Sequence, residues 1–274
     1  MSSAEPRPPA TSFPEPPPAA MSSPAQRSPP ETPSSEPPPL SFELALTPDR
    51  RREALRLVAD SIAQQRQVAA LSIIFHPLCL AALVVGCSIS WRHNGTDLGA
   101  CLVAVSGLVM AYLAAIRLYT APFLRLAEGF DCASFVSGPN GVQDVILVAR
   151  FGDDIIGTLI LRLPPSAAEV DMPAQGLIRA WTTRLRYRGK GVGADLLRYA
   201  VAATRAICGD TASLAFDPDH ANAVYPLNRF FRRPFTVRDE KAIKALDHAL
   251  RDCKANRGGF APVDKAAVRK PVIL

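Results

Sequence analysis

Two arginines, one lysine and three glycines fall within residues 186–193, in the order Arg186, Arg188, Gly189, Lys190, Gly191, Gly193. Glycine admits left-handed backbone and lets a ligand come close to the chain, and the leading N–H groups of a helix attract an anion. Arg188 and Lys190 would add positive charge to that concavity. Such a turn could cradle a diphosphate, provided that a strand leads into it and a helix leaves it. Residues 177–185 are rich in β-branched and apolar side chains, which reads as the strand. Residues 194–206 repeat apolar residues at helical spacing through Leu196, Leu197, Ala200, Val201 and Thr204, which reads as the helix. The bland alternative is a Gly-rich strand-to-helix turn that binds nothing.

Two motifs overlap in this turn. Gly189-x-Gly191-x-x-Ala194 fits the dinucleotide fingerprint, which requires further parallel strands downstream. After residue 206 only residues 213–216 read as a strand, so the room for a doubly wound sheet is missing. Arg188-x-x-Gly191-x-Gly193, with a strand before it and Leu196-Leu197 after it, instead resembles the signature of the GNAT superfamily of acetyl-coenzyme A (acetyl-CoA) dependent N-acetyltransferases. The resemblance extends over residues 42–66 and 144–235. It implies that Thr183 and Leu185 meet the pantetheine arm, and that Arg188, Gly189, Lys190, Gly191, Val192 and Gly193 hold the pyrophosphate. It also implies that Asn222 contacts the pantetheine and that Tyr225, five residues before Phe230, protonates the departing thiolate. Read from the residues alone, Tyr225 is equally an aromatic packed at a helix start, and Pro226 follows it directly.

Acylating an ammonium also needs a base. Residues 177–185 contain no carboxylate, which leaves Glu169, Asp171, Asp219 and His220, or a chain of waters. His220 is the catalytic candidate carried forward with Tyr225.

The elements that must position these residues follow from periodicity. Residues 144–150 and 155–163 read as strands joined by a hairpin turn at Gly152-Asp153-Asp154. Residues 42–46 read as a short first strand, and Thr47-Pro48 as an N-cap with proline at the first helical position. The helix that follows sets Leu55, Val58 and Ile62 on one face. Near the end, residues 235–237 look strand-like and residues 240–250 form a charged amphipathic helix. The expected fold class is α/β (α+β): a GNAT-like mixed sheet with flanking helices, and an inserted two-helix transmembrane hairpin.

That hairpin rests on residues 71–91 and 98–116, which carry no Asp, Glu, Lys or Arg and are long enough to cross a hydrocarbon core. Arginines 50, 51, 52, 56 and 66 precede the pair, and Arg117 and Arg125 follow it, so the positive-inside rule places both flanks in the cytosol. His76 and Pro77 interrupt the first span. The acceptor sequence Asn94-Gly95-Thr96 then lies in the lumen, too near the bilayer to carry a glycan. Membrane-anchored GNAT members of the endoplasmic reticulum have such an arrangement, and that membrane is the expected location.

The net charge of +6 comes from dispersed basic residues without interleaved aromatics, which argues against nucleic acid as a partner. The six cysteines show no C-x-x-C spacing, which argues against a metal site. Residues 1–40 hold more than half of the 26 prolines and read as a disordered tail. The expected organisation is therefore a tail over 1–40, a first strand and helix over 41–68, the membrane hairpin over 69–120, the catalytic core over 121–253 and a loose tail over 254–274. The partners implied are an amine substrate and the lipid bilayer. A non-catalytic acetyl-CoA-binding membrane scaffold or sensor is the second reading.

Overall fold

The computed structural model describes residues 38–138, 142–164 and 174–255. The Pro-rich residues before 38, residues 165–173 with Glu169 and Asp171, and residues 256–274 lie outside the described residues. Five strands form one sheet in the order β1 (Leu40–Leu44), β2 (Val145–Phe151), β3 (Asp154–Arg162), β4 (Gln175–Thr183), β5 (Ser213–Phe216). Successive pairs are antiparallel except β4 and β5, which are parallel. The mixed sheet with flanking helices is the GNAT-like α/β architecture.

Alternation along β2 shows why the sheet is covered twice. Val145, Leu147 and Ala149 face a core shared with α6 (Val192–Cys208), to which Leu196, Leu197, Ala200 and Val201 contribute. Ile146 and Val148 face the opposite core, built with Leu55 and Val58 of α1 (Pro48–Ile74). A strand buried on both faces reads as a nearly continuous apolar run, as Val145–Phe151 does. β2 and β3 are closed by a two-residue turn in which Gly152 has φ +62°, a left-handed conformation that glycine takes without steric cost.

Three sequence expectations shift. The fourth strand ends at Thr183, and Leu185 sits in a single 3-10 turn, Leu185–Tyr187, with its side chain exposed. Residues 235–237 are not a strand, because they begin the long helix α7 (Arg233–Ala255), where Phe235 is buried against Phe123. The short helices α4 (Ala121–Glu128) and α5 (Cys132–Val136) also occupy a stretch in which the sequence suggested no element.

Residues 71–91 are not one unbroken span. α1 runs on to Ile74, the chain bends by 57°, and α2 (Pro77–Asn94) starts anew at Pro77. Proline disfavours helical geometry in the residue before it, and His76 is extended at φ −69°, ψ 129°. α3 (Leu98–Tyr119) continues into α4. Among the described residues, the stretch Leu98–Glu128 is the one helical run long and apolar enough to cross a membrane unaided; the bent pair α1 and α2 passes the same test only when joined. α2 has no buried residue and α3 has two, Cys101 and Ile116.

Candidate active site

The parallel pairing of β4 with β5 stops at Ile178 opposite Phe216, while β4 continues to Thr183. The chain after β5 stays close for one more step, where the Ala221 N–H donates to the Arg179 carbonyl at 2.8 Å. Beyond that point Ala180, Trp181, Thr182 and Thr183 border a cleft of about 320 Å³. A strand edge left open in this way presents main-chain groups that an extended ligand can pair with.

α1 supplies the opposite wall through Ser61, Gln64, Gln65 and Val68. A directed chain of hydrogen bonds runs along it: the Gln65 amide donates to Asn222 Oδ1, Asn222 Nδ2 to Ser61 Oγ at 3.4 Å, and Ser61 Oγ to the Val58 carbonyl at 2.7 Å. Asn222 is therefore anchored at the cleft. Gln65 Oε1, at the end of that chain, is buried and has no partner among the described residues.

His220 lines the cleft as well. Its Nδ1 lies 3.1 Å from the Asp217 carbonyl, which can only accept. A neutral ring that satisfies this contact carries its proton on Nδ1 and keeps a lone pair on Nε2. Arg179 fixes the loop beneath, since its guanidinium bridges buried Asp144 at 3.2 Å and Asp217 at 3.3 Å.

The glycine turn follows β4. Gly189 and Gly191 have φ +75° and +88°, so both positions require the conformational freedom of glycine. Gly193 is restricted for another reason: a Cβ there would lie 3.1 Å from the Trp181 ring, whose Nε1–H donates to the Gly193 carbonyl at 3.1 Å. Gly191 is the N-cap of α6 and contributes no side-chain cap; the Ala194 and Asp195 N–H groups donate to its carbonyl at 2.8 and 3.1 Å, which leaves those of Val192 and Gly193 without an acceptor among the described residues. Lys190 is exposed, its Nζ 5.5 Å from the centre of the Tyr187 ring. Arg188 instead turns back toward the cleft, donating to the Thr183 carbonyl at 3.1 Å and to Gln64 Oε1 at 2.8 Å. Burial, and then the like charge of Arg238, push the Arg188 guanidinium below its ordinary pKa.

Tyr225 lies one hydrogen bond away from the cleft. Its hydroxyl donates to Asp239 Oδ2 at 2.7 Å and accepts from Arg238 at 2.8 Å, and both partners line the cleft. Its ring packs on Phe235. Burial, reinforced by the bond to Asp239, pushes the phenol up to about 12.

Of the residues singled out from sequence, the structure brings Thr183, Arg188, His220 and Asn222 to one cleft and sets Gly189, Lys190, Gly191, Val192 and Gly193 in the turn beside it. Leu185 points elsewhere. Sequence reasoning missed Ser61, Gln65, Arg238 and Asp239. The spacing Ser61-x-x-Gln64-Gln65 was a legible signal, because positions three and four apart share one helix face. Among the described residues no group of three or more His, Cys, Asp or Glu is placed to hold a metal ion.

Comparison with protein families agrees with this geometry. Residues 109–233 match the acetyltransferase (GNAT) family. The matched region holds β2 to β5, the glycine turn and Tyr225, and it leaves β1, α1 and α2 outside. No curated protein and no solved structure matches the chain. A GNAT domain supports acyltransferase activity in general terms.

Proposed function

We propose that the protein is a membrane-bound N-acetyltransferase that moves an acetyl group from acetyl-CoA to an amine. The observation that carries this reading is the opening between β4 and β5, which meets the N-terminus of α6 at a turn of glycines and basic residues. The residues present fit the cofactor. The open edge at Thr183 and the amide of Asn222 suit the polar pantetheine arm, and the uncapped α6 amides with Lys190 suit the pyrophosphate. When bound, acetyl-CoA supplies an acyl group activated as a thioester.

The chain's own part is to orient the amine and to move two protons. His220 Nε2 accepts a proton from the amine nitrogen as the N–C bond forms. Tyr225, one hydrogen bond behind the cleft, would supply the proton that the departing sulfur needs by way of Asp239, which lines the cleft and accepts from its hydroxyl, while Arg238 holds that hydroxyl in place. A phenol held near 12 is fully protonated at neutral pH, as a general acid must be before transfer.

The membrane part of the proposal rests on α2 and α3, whose apolar side chains, Leu78, Val84, Leu102, Val103 and Met110 among them, are exposed. Burying them in lipid removes that surface from water. With arginines on both flanks, the catalytic region and both termini face the cytosol, and the endoplasmic reticulum is the membrane we favour.

The test is thiol release from acetyl-CoA by the full chain in lipid nanodiscs, measured with a panel of primary amines. Amine-dependent release that falls in His220→Asn supports the reading. Coenzyme A binding without release to any amine would instead establish the non-catalytic scaffold or sensor.

A further inference from the structure

A second basic surface lies where the apolar hairpin meets the turn that leads into α7. The 3-10 turn Arg229–Phe231 leads into α7, and its Phe230 is 70% exposed. Three contacts fix this turn against the hairpin. The Asn228 N–H donates to the Tyr119 hydroxyl at 3.3 Å, Ser72 Oγ donates to the Phe231 carbonyl at 3.2 Å, and the Phe231 ring meets His76 edge-on at 5.0 Å. Phe75 at the α1–α2 break and Leu118 at the end of α3 are exposed to similar degrees, 68% and 74%.

Along the chain segments that carry these apolar residues the charge is one-sided. Residues 98–127 and 220–238 contain no Asp or Glu, whereas Arg117, Arg125, Arg229 and Arg233 are all exposed. Among the described residues no carboxylate pairs with any of the four arginines. Aromatic and apolar side chains bordered by unpaired arginines suit the headgroup layer of an anionic membrane, where each basic residue near the surface gains attraction and its stem can lie along apolar chains. A soluble acidic protein could satisfy the charge alone. The turn, however, is held to the chain at both ends of the hairpin, through His76 next to exposed Phe75 and through Tyr119 next to exposed Leu118, which points to lipid.

We propose that Phe230, flanked by Arg229 and Arg233, is an additional anchor seated in the anionic headgroup layer beside the hairpin. This rests on the membrane reading above and goes beyond it. α7 begins at Arg233 and carries Arg238 and Asp239, so the anchor ties one wall of the cleft to the bilayer surface.

The native tryptophans, Trp91 on α2 and Trp181 at the cleft, allow a test that separates the two claims. The full chain and its Phe230→Trp variant are placed in phosphatidylcholine nanodiscs with and without phosphatidylserine, using lipids brominated near the headgroup. Trp91→Phe assigns the hairpin emission. The proposal expects the indole introduced by Phe230→Trp to be quenched, more so with phosphatidylserine, and Arg229→Glu with Arg233→Glu to abolish that increase. Quenching of Trp91 without quenching of the introduced indole overturns the anchor and leaves the hairpin standing. Quenching of neither overturns both.

Discussion

Tyr225 shows how one hydroxyl can serve structure and chemistry together. Its ring packs on Phe235, so Tyr225→Phe keeps the packing and removes the hydroxyl with its bonds to Asp239 and Arg238. We expect turnover to fall by ~10²–10⁴-fold, the usual contribution of a general acid, with coenzyme A affinity unchanged. An unchanged rate would move the acid elsewhere. The same residue gives a pH dependence of stability. Burial and the Asp239 bond favour the neutral phenol, so its folded pKa of about 12 exceeds the ordinary value near 10. The stabilisation is complete below about pH 10 and is lost as pH rises toward 12, and Tyr225→Phe should flatten that alkaline loss. The sequence pointed to Tyr225 by its spacing from Phe230. It could not show Arg238 and Asp239 as partners, because they fall between residues 235–237, which read as a strand, and residues 240–250, which read as a helix.

Among the elements, the loop after β5 matters most, since it carries both His220 and Asn222. Arg179 on β4 holds it through Asp217, and Asp144 in turn holds Arg179 and Arg162. Burial pushes the Asp144 carboxyl up even against these two arginines. Asp144→Ala would leave part-buried Arg162 without a carboxylate and Arg179 with Asp217 alone, and we expect a loss of roughly 3 kcal/mol in denaturant unfolding. A loss within the scatter of a surface substitution would show that the network is dispensable. The central strands were legible because they alternate or run apolar, and their ends moved by one or two residues, as strand ends do. The bend at His76-Pro77 was less legible: an uncharged run shows length and polarity, and only the restriction that Pro77 places on His76 marks the break. The α1 wall of the cleft was missed because polar residues on an amphipathic helix ordinarily face water, whereas Gln65 is buried.

At the scale of the molecule, a sheet domain with a lateral cleft is joined to a pair of apolar helices with little burial of their own. If these cross a bilayer as a hairpin, tags at the two termini of the full chain should both be digested by protease added to sealed microsomes. Protection of either one contradicts the topology. The central claim, that the cleft and the glycine turn bind coenzyme A, is tested most directly by calorimetry on the full chain in nanodiscs. Gly193 is a poor probe, because its replacement would disturb Trp181. Lys190→Glu is better, since Lys190 is exposed and the substitution reverses its charge without touching the backbone of the turn. Replacing attraction by repulsion at one surface site is worth on the order of 1 kcal/mol or slightly more, so the account predicts saturable coenzyme A binding in the wild type and about tenfold weaker binding in Lys190→Glu. Absence of saturable binding, or equal affinity in the two proteins, would contradict it.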